Sequence, residues 1–198
     1  MMKKILAMML FYMASSHAAL IVDTGTPTDT NGADLYQYQY FAAQFNLDQS
    51  ETISSIQGYF SNQWGSGTGT MDIAITADVA GKPSTNLFFS SISLDAGQAL
   101  DWYGLSSLDW LLQAGTYWVT FIPTSVDFYG LVPGSAPLPL EHYLLTDFSG
   151  NWGQWSNFAA GIRIESGVTS VPESTMLMLF ISGLLGLSAV RSRASRSA

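Results

Sequence analysis

Met71-Asp72-Ile73-Ala74-Ile75-Thr76-Ala77-Asp78-Val79 is the stretch on which the fold turns. Met71, Ile73, Ile75, Ala77 and Val79 fall on one parity, and Asp72, Ala74, Thr76 and Asp78 fall on the other. A period of two belongs to a strand, whose successive side chains point to opposite faces. The same alternation recurs outward from this stretch. Tyr36, Tyr38 and Tyr40 alternate with Gln37 and Gln39; Tyr117, Val119 and Phe121 alternate with Trp118, Thr120 and Ile122. Phe158, Ala160, Ile162 and Ile164 alternate with Ala159, Gly161, Arg163 and Glu165. Turn-forming residues separate these runs: Gly65-Ser66-Gly67-Thr68-Gly69, Ala80-Gly81-Lys82-Pro83, Ala114-Gly115, and Pro133-Gly134 through Pro139. No segment of helical length between them carries a 3.6-residue period. The pattern predicts an all-β domain, an antiparallel β-sandwich or jelly roll of about eight strands with polar faces outward.

The ends of the chain read differently. Lys3 and Lys4 precede an apolar run from Ile5 to Met13, and Ser16-His17-Ala18 places small residues where signal peptidase reads them. Residues 1–18 are therefore expected to be a signal peptide cut after Ala18. At the other end, Val171-Pro172-Glu173-Ser174 leads into an apolar run from Thr175 to Val190, followed by Arg191, Arg193 and Arg196. Cations after an apolar helix hold its C-terminus on the cytoplasmic side. As a helix, that run spans roughly 24 Å against a hydrocarbon core of about 30 Å, which makes it marginal as a lasting anchor. The organisation expected is a signal peptide (1–18), an exported domain (19–170) and a tail (171–198). The tail comprises a motif at 171–174, a transmembrane helix at 175–190 and a basic end at 191–198.

A Pro-Glu element, a marginal helix and a basic end resemble the PEP-CTERM sorting signal of Gram-negative bacteria. Val171, Pro172 and Glu173 carry the motif; Ser174 stands where that family usually has a second proline. The resemblance implies cleavage by an exosortase, a membrane-embedded protease, after transient residence in the inner membrane. The competing reading is a plain C-terminal anchor. Ala43-Gln44-Phe45 with Ile53 and Ile56, Asp72 to Ile75, Gly81 to Ser84, and Leu112 to Val119 resemble the choice-of-anchor domain of bacterial surface proteins. That resemblance implies a β-domain with an interchangeable C-terminal anchor, and no catalytic or ligand residues.

Composition limits the chemistry. The whole chain carries −8, but five of its seven cations lie in residues 1–18 and 171–198. Residues 19–170 hold fourteen carboxylates against two cations, Lys82 and Arg163, a net charge of −12. Nucleic acid binding runs on clustered lysine and arginine, so it is not expected here. The chain has no cysteine, which excludes disulfides, thiol nucleophiles and thiolate-ligated metals. Burial alone must hold the domain together.

No cofactor or metal is expected. Glu141 and His142 form the only acid and histidine neighbours, on a loop after Pro139, and no G-x-S-x-G elbow accompanies them. Asp101 and Asp109 have the residue type of a glycosidase pair, yet read as solvated charges on turns. Asp23, Asp29 and Asp34 lack the D-x-D-x-D-G spacing of a calcium loop. No lysine follows the glycine run at 65–69, so it reads as a hairpin loop and not a phosphate cradle. Trp152 and Trp155 lie in a polar segment, Ser149 to Asn157. They support two readings: a stacking platform for sugar rings, with Asp147, Asn151 and Gln154 as hydroxyl partners, or packing against one end of the domain. The sequence thus points to an exported, non-enzymatic protein of the cell surface or an exopolysaccharide matrix. Signal peptidase and an exosortase-like protease are its expected partners, along with polysaccharide. The alternatives are a carbohydrate-binding module and, less favoured, a secreted hydrolase.

Overall fold

A computed structural model describes residues 19–147 and 149–167. Ser16 and Ala18 of the expected signal peptide lie outside the described residues, as do Val171, Pro172, Glu173, the helix expected at 175–190, and Arg191, Arg193 and Arg196. The described residues belong to one compact unit.

They form thirteen strands and no helix: β1 (Ala19–Asp23), β2 (Gly32–Tyr36), β3 (Phe41–Leu47), β4 (Glu51–Asn62), β5 (Gly69–Val79), β6 (Lys82–Leu94), β7 (Gln98–Leu105), β8 (Trp110–Leu112), β9 (Gly115–Pro123), β10 (Tyr129–Pro133), β11 (Tyr143–Thr146), β12 (Trp152–Gln154) and β13 (Ile162–Ser166). One sheet runs β1-β13-β4-β7, with β8 also on β4; a second runs β12-β11-β3-β9-β5-β6; β10 and β2 make a separate ribbon. Every ladder between these strands is antiparallel. The all-β, antiparallel expectation holds, with more strands than the roughly eight anticipated.

The two large sheets close over one apolar core. Ile53, Ile56, Phe60, Ile162 and Ile164 come from the first sheet; Phe41, Met71, Ile73, Ile75, Val119 and Phe121 come from the second. Phe121 lies flat on Phe41 at 4.7 Å and 6°, and meets Phe60 across the gap at 5.9 Å and 66°. A side chain at Gly58 would reach 2.8 Å from the Phe121 ring, so glycine there is what lets the ring approach β4. The β5–β6 hairpin turns on two residues in left-handed backbone, Ala80 (φ 53°) and Gly81 (φ 75°), as a tight two-residue hairpin turn demands.

Three expectations need correction. Tyr36, Tyr38 and Tyr40 do not lie in one strand: β2 ends at Tyr36 and the chain reverses, with the Tyr36 and Gln39 amides donating to each other's carbonyls at 3.2 and 2.8 Å. Alternation cannot distinguish a strand from a reversal made of the same residue types. The run from Phe158 is strand only from Ile162. The outer face of the six-stranded sheet is not simply polar. Leu144 pairs with Ala42, Ala42 with Thr120, and Thr120 with Ala74 across this face, and Ala42, Trp118 and Leu144 form a second apolar cluster there. Trp118 is buried, and its indole N–H donates to Asp78 Oδ1 at 2.7 Å, which also accepts the Gln44 amide at 3.0 Å. An outward tryptophan is thereby satisfied without water.

Tyr143 anchors β11 to the loop before β13: its hydroxyl accepts the Leu140 amide (3.0 Å) and donates to the Ala160 carbonyl (3.4 Å). Burial pushes this hydroxyl up to about 12, against a small downward pull from the Leu140 amide. A raised acid binds more protons in the folded state, so its contribution is complete below pH 10, the ordinary tyrosine value, and is lost as pH rises toward 12. Tyr143→Phe should therefore cost about 1 kcal/mol at neutral pH. It should also flatten the alkaline fall in stability, measured by urea melts at a series of pH values; an unchanged alkaline slope would count against this assignment.

Candidate functional site

Trp152 and Trp155 stand at one edge of the six-stranded sheet. The β11–β12 turn is held by Asp147, whose Oδ1 accepts the Ser149 and Asn151 amides (2.9 and 2.8 Å) and whose Oδ2 accepts the Asn151 side chain (3.1 Å). The Asn151 amide, then its side chain, hold this carboxyl below the usual carboxylate range. Trp152, opposite Thr146, packs on the outer cluster and meets Tyr40 edge-on at 5.4 Å. Trp155 stacks on Phe158 at 4.2 Å and 5°, and so joins the main core. Both rings, with Asp147, Asn151 and Gln154, border a depression of about 360 Å³. The structure thus gathers all five residues, while each ring has its own packing partner and Asp147 and Asn151 bond to one another. Trp155→Ala should lower unfolding free energy by about 2 kcal/mol, because it removes a half-buried ring stacked on the core; a melt within about 0.5 kcal/mol of wild type would show that the stacking carries no weight.

The remaining candidates are dispersed. His142 Nε2 lies 3.6 Å from Glu141 Oε1 on an exposed loop. Asp101 is in β7, not on a turn, and accepts the Trp102 amide; Asp109 follows in the next loop. Asp23 accepts the Gly25 amide and pairs with Arg163 at 3.3 Å, Asp29 accepts the Asn31 amide, and Asp34 accepts the Tyr129 hydroxyl. No group of three or more histidine or carboxylate side chains placed to hold a metal occurs among the described residues.

Sequence reading missed two aromatic clusters. On the outer face of the first sheet, the Arg163 guanidinium lies 3.9 Å over the Trp102 ring, which Tyr59 also meets at 5.5 Å. One of the two cations of the described residues is thus taken up by a ring and a carboxylate.

The second cluster gathers three distant segments. Asp34, Tyr36, Gln37, Tyr38, Val126 and Tyr129 line a depression of about 460 Å³, with buried Phe128 at its base. Ring contacts run in a row: Tyr38 to Tyr36 at 6.4 Å, Tyr36 to Tyr129 at 5.7 Å, Tyr129 to Trp64 at 5.4 Å. Tyr38 is 56% exposed and Trp64 50%. Buried Asn62 locks the row in place: its Oδ1 accepts the Tyr129 amide and its Nδ2 donates to the Leu94 carbonyl, both at 2.9 Å. Ser61 Oγ accepts the Leu131 amide at 3.0 Å, and Ser66 Oγ donates to Asp127 Oδ1 at 2.6 Å. The Asp34 charge, chiefly, raises the Tyr129 hydroxyl above its ordinary range; burial and then Asp34 raise Tyr36. The only trace of this cluster in the sequence was the tyrosine-glutamine run, which read as a strand.

No protein-family model matches this chain, and no curated protein matches it at a significant level.

Proposed function

We propose that this is an exported, non-enzymatic protein of the cell surface or an exopolysaccharide matrix, a β-sandwich of the jelly-roll kind trimmed at both ends. Signal peptidase would cut after Ala18, and an exosortase-like protease would read Pro172-Glu173 while the tail rests in the inner membrane. One observation carries the reading. The first and last strands are paired: Ala19 lies opposite Ser166 and Asp23 opposite Arg163, and the Ser166 hydroxyl donates to the Ala19 carbonyl at 3.2 Å. The pairing thus lies between the two proposed cuts, and removing both tails takes away none of the described strands. Absence of cysteine fits a domain held by burial alone.

Export is tested with the full chain in a Gram-negative host. Wild type should be recovered from the periplasm, cell surface or medium and start at Ala19; Ala18→Trp should retain Met1 and stay with the inner membrane. Wild type confined to the cytosol would refute the reading.

A second reading, a carbohydrate-binding module using Trp152 and Trp155, is favoured by the depression those rings share with Asp147, Asn151 and Gln154. Retention of Trp152→Ala and Trp155→Ala on polysaccharide gels tests it: binding lost in both would support that module, and binding kept in both would exclude it.

A further inference from the structure

We infer that the row Tyr38, Tyr36, Tyr129 and Trp64, with Asp34 and Gln37 beside it, binds a neutral polysaccharide chain. Tyr38, Trp64, Tyr129 and Val126 are exposed by 56, 50, 40 and 75%. Large apolar side chains grouped at a surface depression mark a contact site, whereas single exposed ones mean nothing. Segments far apart in sequence supply this group: the β2–β3 reversal and the loop before β10, with that strand's first residue, line the depression, and Trp64 of the β4–β5 loop adjoins it through its contact with Tyr129.

The chemistry of the lining selects the ligand. A pyranose presents C–H groups on its faces and hydroxyls at its rim. Aromatic faces carry negative quadrupole charge and suit the C–H groups; the Asp34 carboxylate, as acceptor, and the Gln37 amide, as donor and acceptor, suit the rim. Four rings joined by three successive contacts offer more than one stacking position, which favours a chain of sugars over a compact cation.

Charge narrows the choice further. Asp34 lines the depression, and Asp127 sits on the neighbouring loop, bonded to Ser66 and Ser125. Among the described residues the cations are Lys82 and Arg163; neither lines the depression, and Arg163 is taken up by Asp23 and Trp102. A uronate-bearing or phosphorylated glycan would meet only repulsion there. The loops are already fixed by Asn62, Ser61 and Ser66, so little ordering accompanies binding. This inference does not depend on tail processing, since the site lies wholly within the described domain.

Native gel electrophoresis of the full chain, purified in mild detergent, tests it. The gels would contain hydroxyethyl cellulose or galactomannan as neutral polymers, alginate as an anionic one and chitosan as a cationic one. A neutral polymer should retard wild type. Trp64→Ala and Tyr38→Ala should each weaken that retardation by about tenfold in dissociation constant, the equivalent of roughly 1.4 kcal/mol. Trp152→Ala should leave it unchanged, and the neutral polymer should shield wild-type tryptophan fluorescence from iodide. Tyr38 sits on the surface of a turn, so Tyr38→Ala decides the matter if Trp64→Ala does not fold. Four results would overturn the inference: no retardation by either neutral polymer, retardation by alginate or chitosan alone, full retardation of Tyr38→Ala, or a wild-type dimer that Tyr38→Ala dissociates.

Discussion

Phe121→Ala should lower the free energy of unfolding by about 4 kcal/mol, a large share of the roughly 5–15 kcal/mol typical of a whole domain. The ring is fully buried, stacked flat on Phe41, edge-on to Phe60 of the opposite sheet, and seated over Gly58. Alanine would leave a cavity between two sheets that cannot collapse without bending both. Phe89→Ala provides the comparison. Phe89 lies on the edge strand β6 and is 61% exposed, so its truncation should change stability by no more than about 0.5 kcal/mol. Urea melts of the two variants measure the difference. A Phe121→Ala protein within about 1 kcal/mol of wild type would mean that the sheets do not close over this ring.

What could be read in advance follows from where the side-chain period carries information. In β5 and β9 the alternation assigned Met71, Ile73, Ile75, Val119 and Phe121 to one face, and these residues line the core. It could not show that the opposite face buries Ala42, Trp118 and Leu144, because that depends on which strands lie side by side and on Asp78 reaching the indole. Nor could it show the reversal at Tyr36–Gln39, since the residues on both sides of that turn keep the same parity. The candidate sites were legible in proportion to their locality. Asp147, Asn151, Trp152, Gln154 and Trp155 are close in sequence and do border one depression. The row formed by Tyr36, Tyr38, Trp64 and Tyr129 is assembled from separate segments by Asn62 and Ser61, buried polar residues with no sequence signature of their own.

Glu173→Ala should block processing of the tail. On the proposed reading a protease recognises the Pro172-Glu173 element, and Glu173 is the single carboxylate beside the apolar run. Its loss removes what an exosortase-like enzyme would read, so protein that keeps its tail through Arg196 should accumulate in the inner membrane while the signal peptide is still removed. Immunoblots of membrane and soluble fractions with a tag near residue 30 follow both forms. Equal processing of wild type and Glu173→Ala would mean that the Pro-Glu element is not read.

Export and trimming of this acidic, antiparallel β-domain at both ends would be visible in the intact mass of the wild-type protein recovered from periplasm, cell surface and medium. The species expected begins at Ala19 and ends near Glu173, without Arg191, Arg193 or Arg196. A species that still carries Arg196 and stays in the inner membrane would contradict it and leave the tail as a plain anchor.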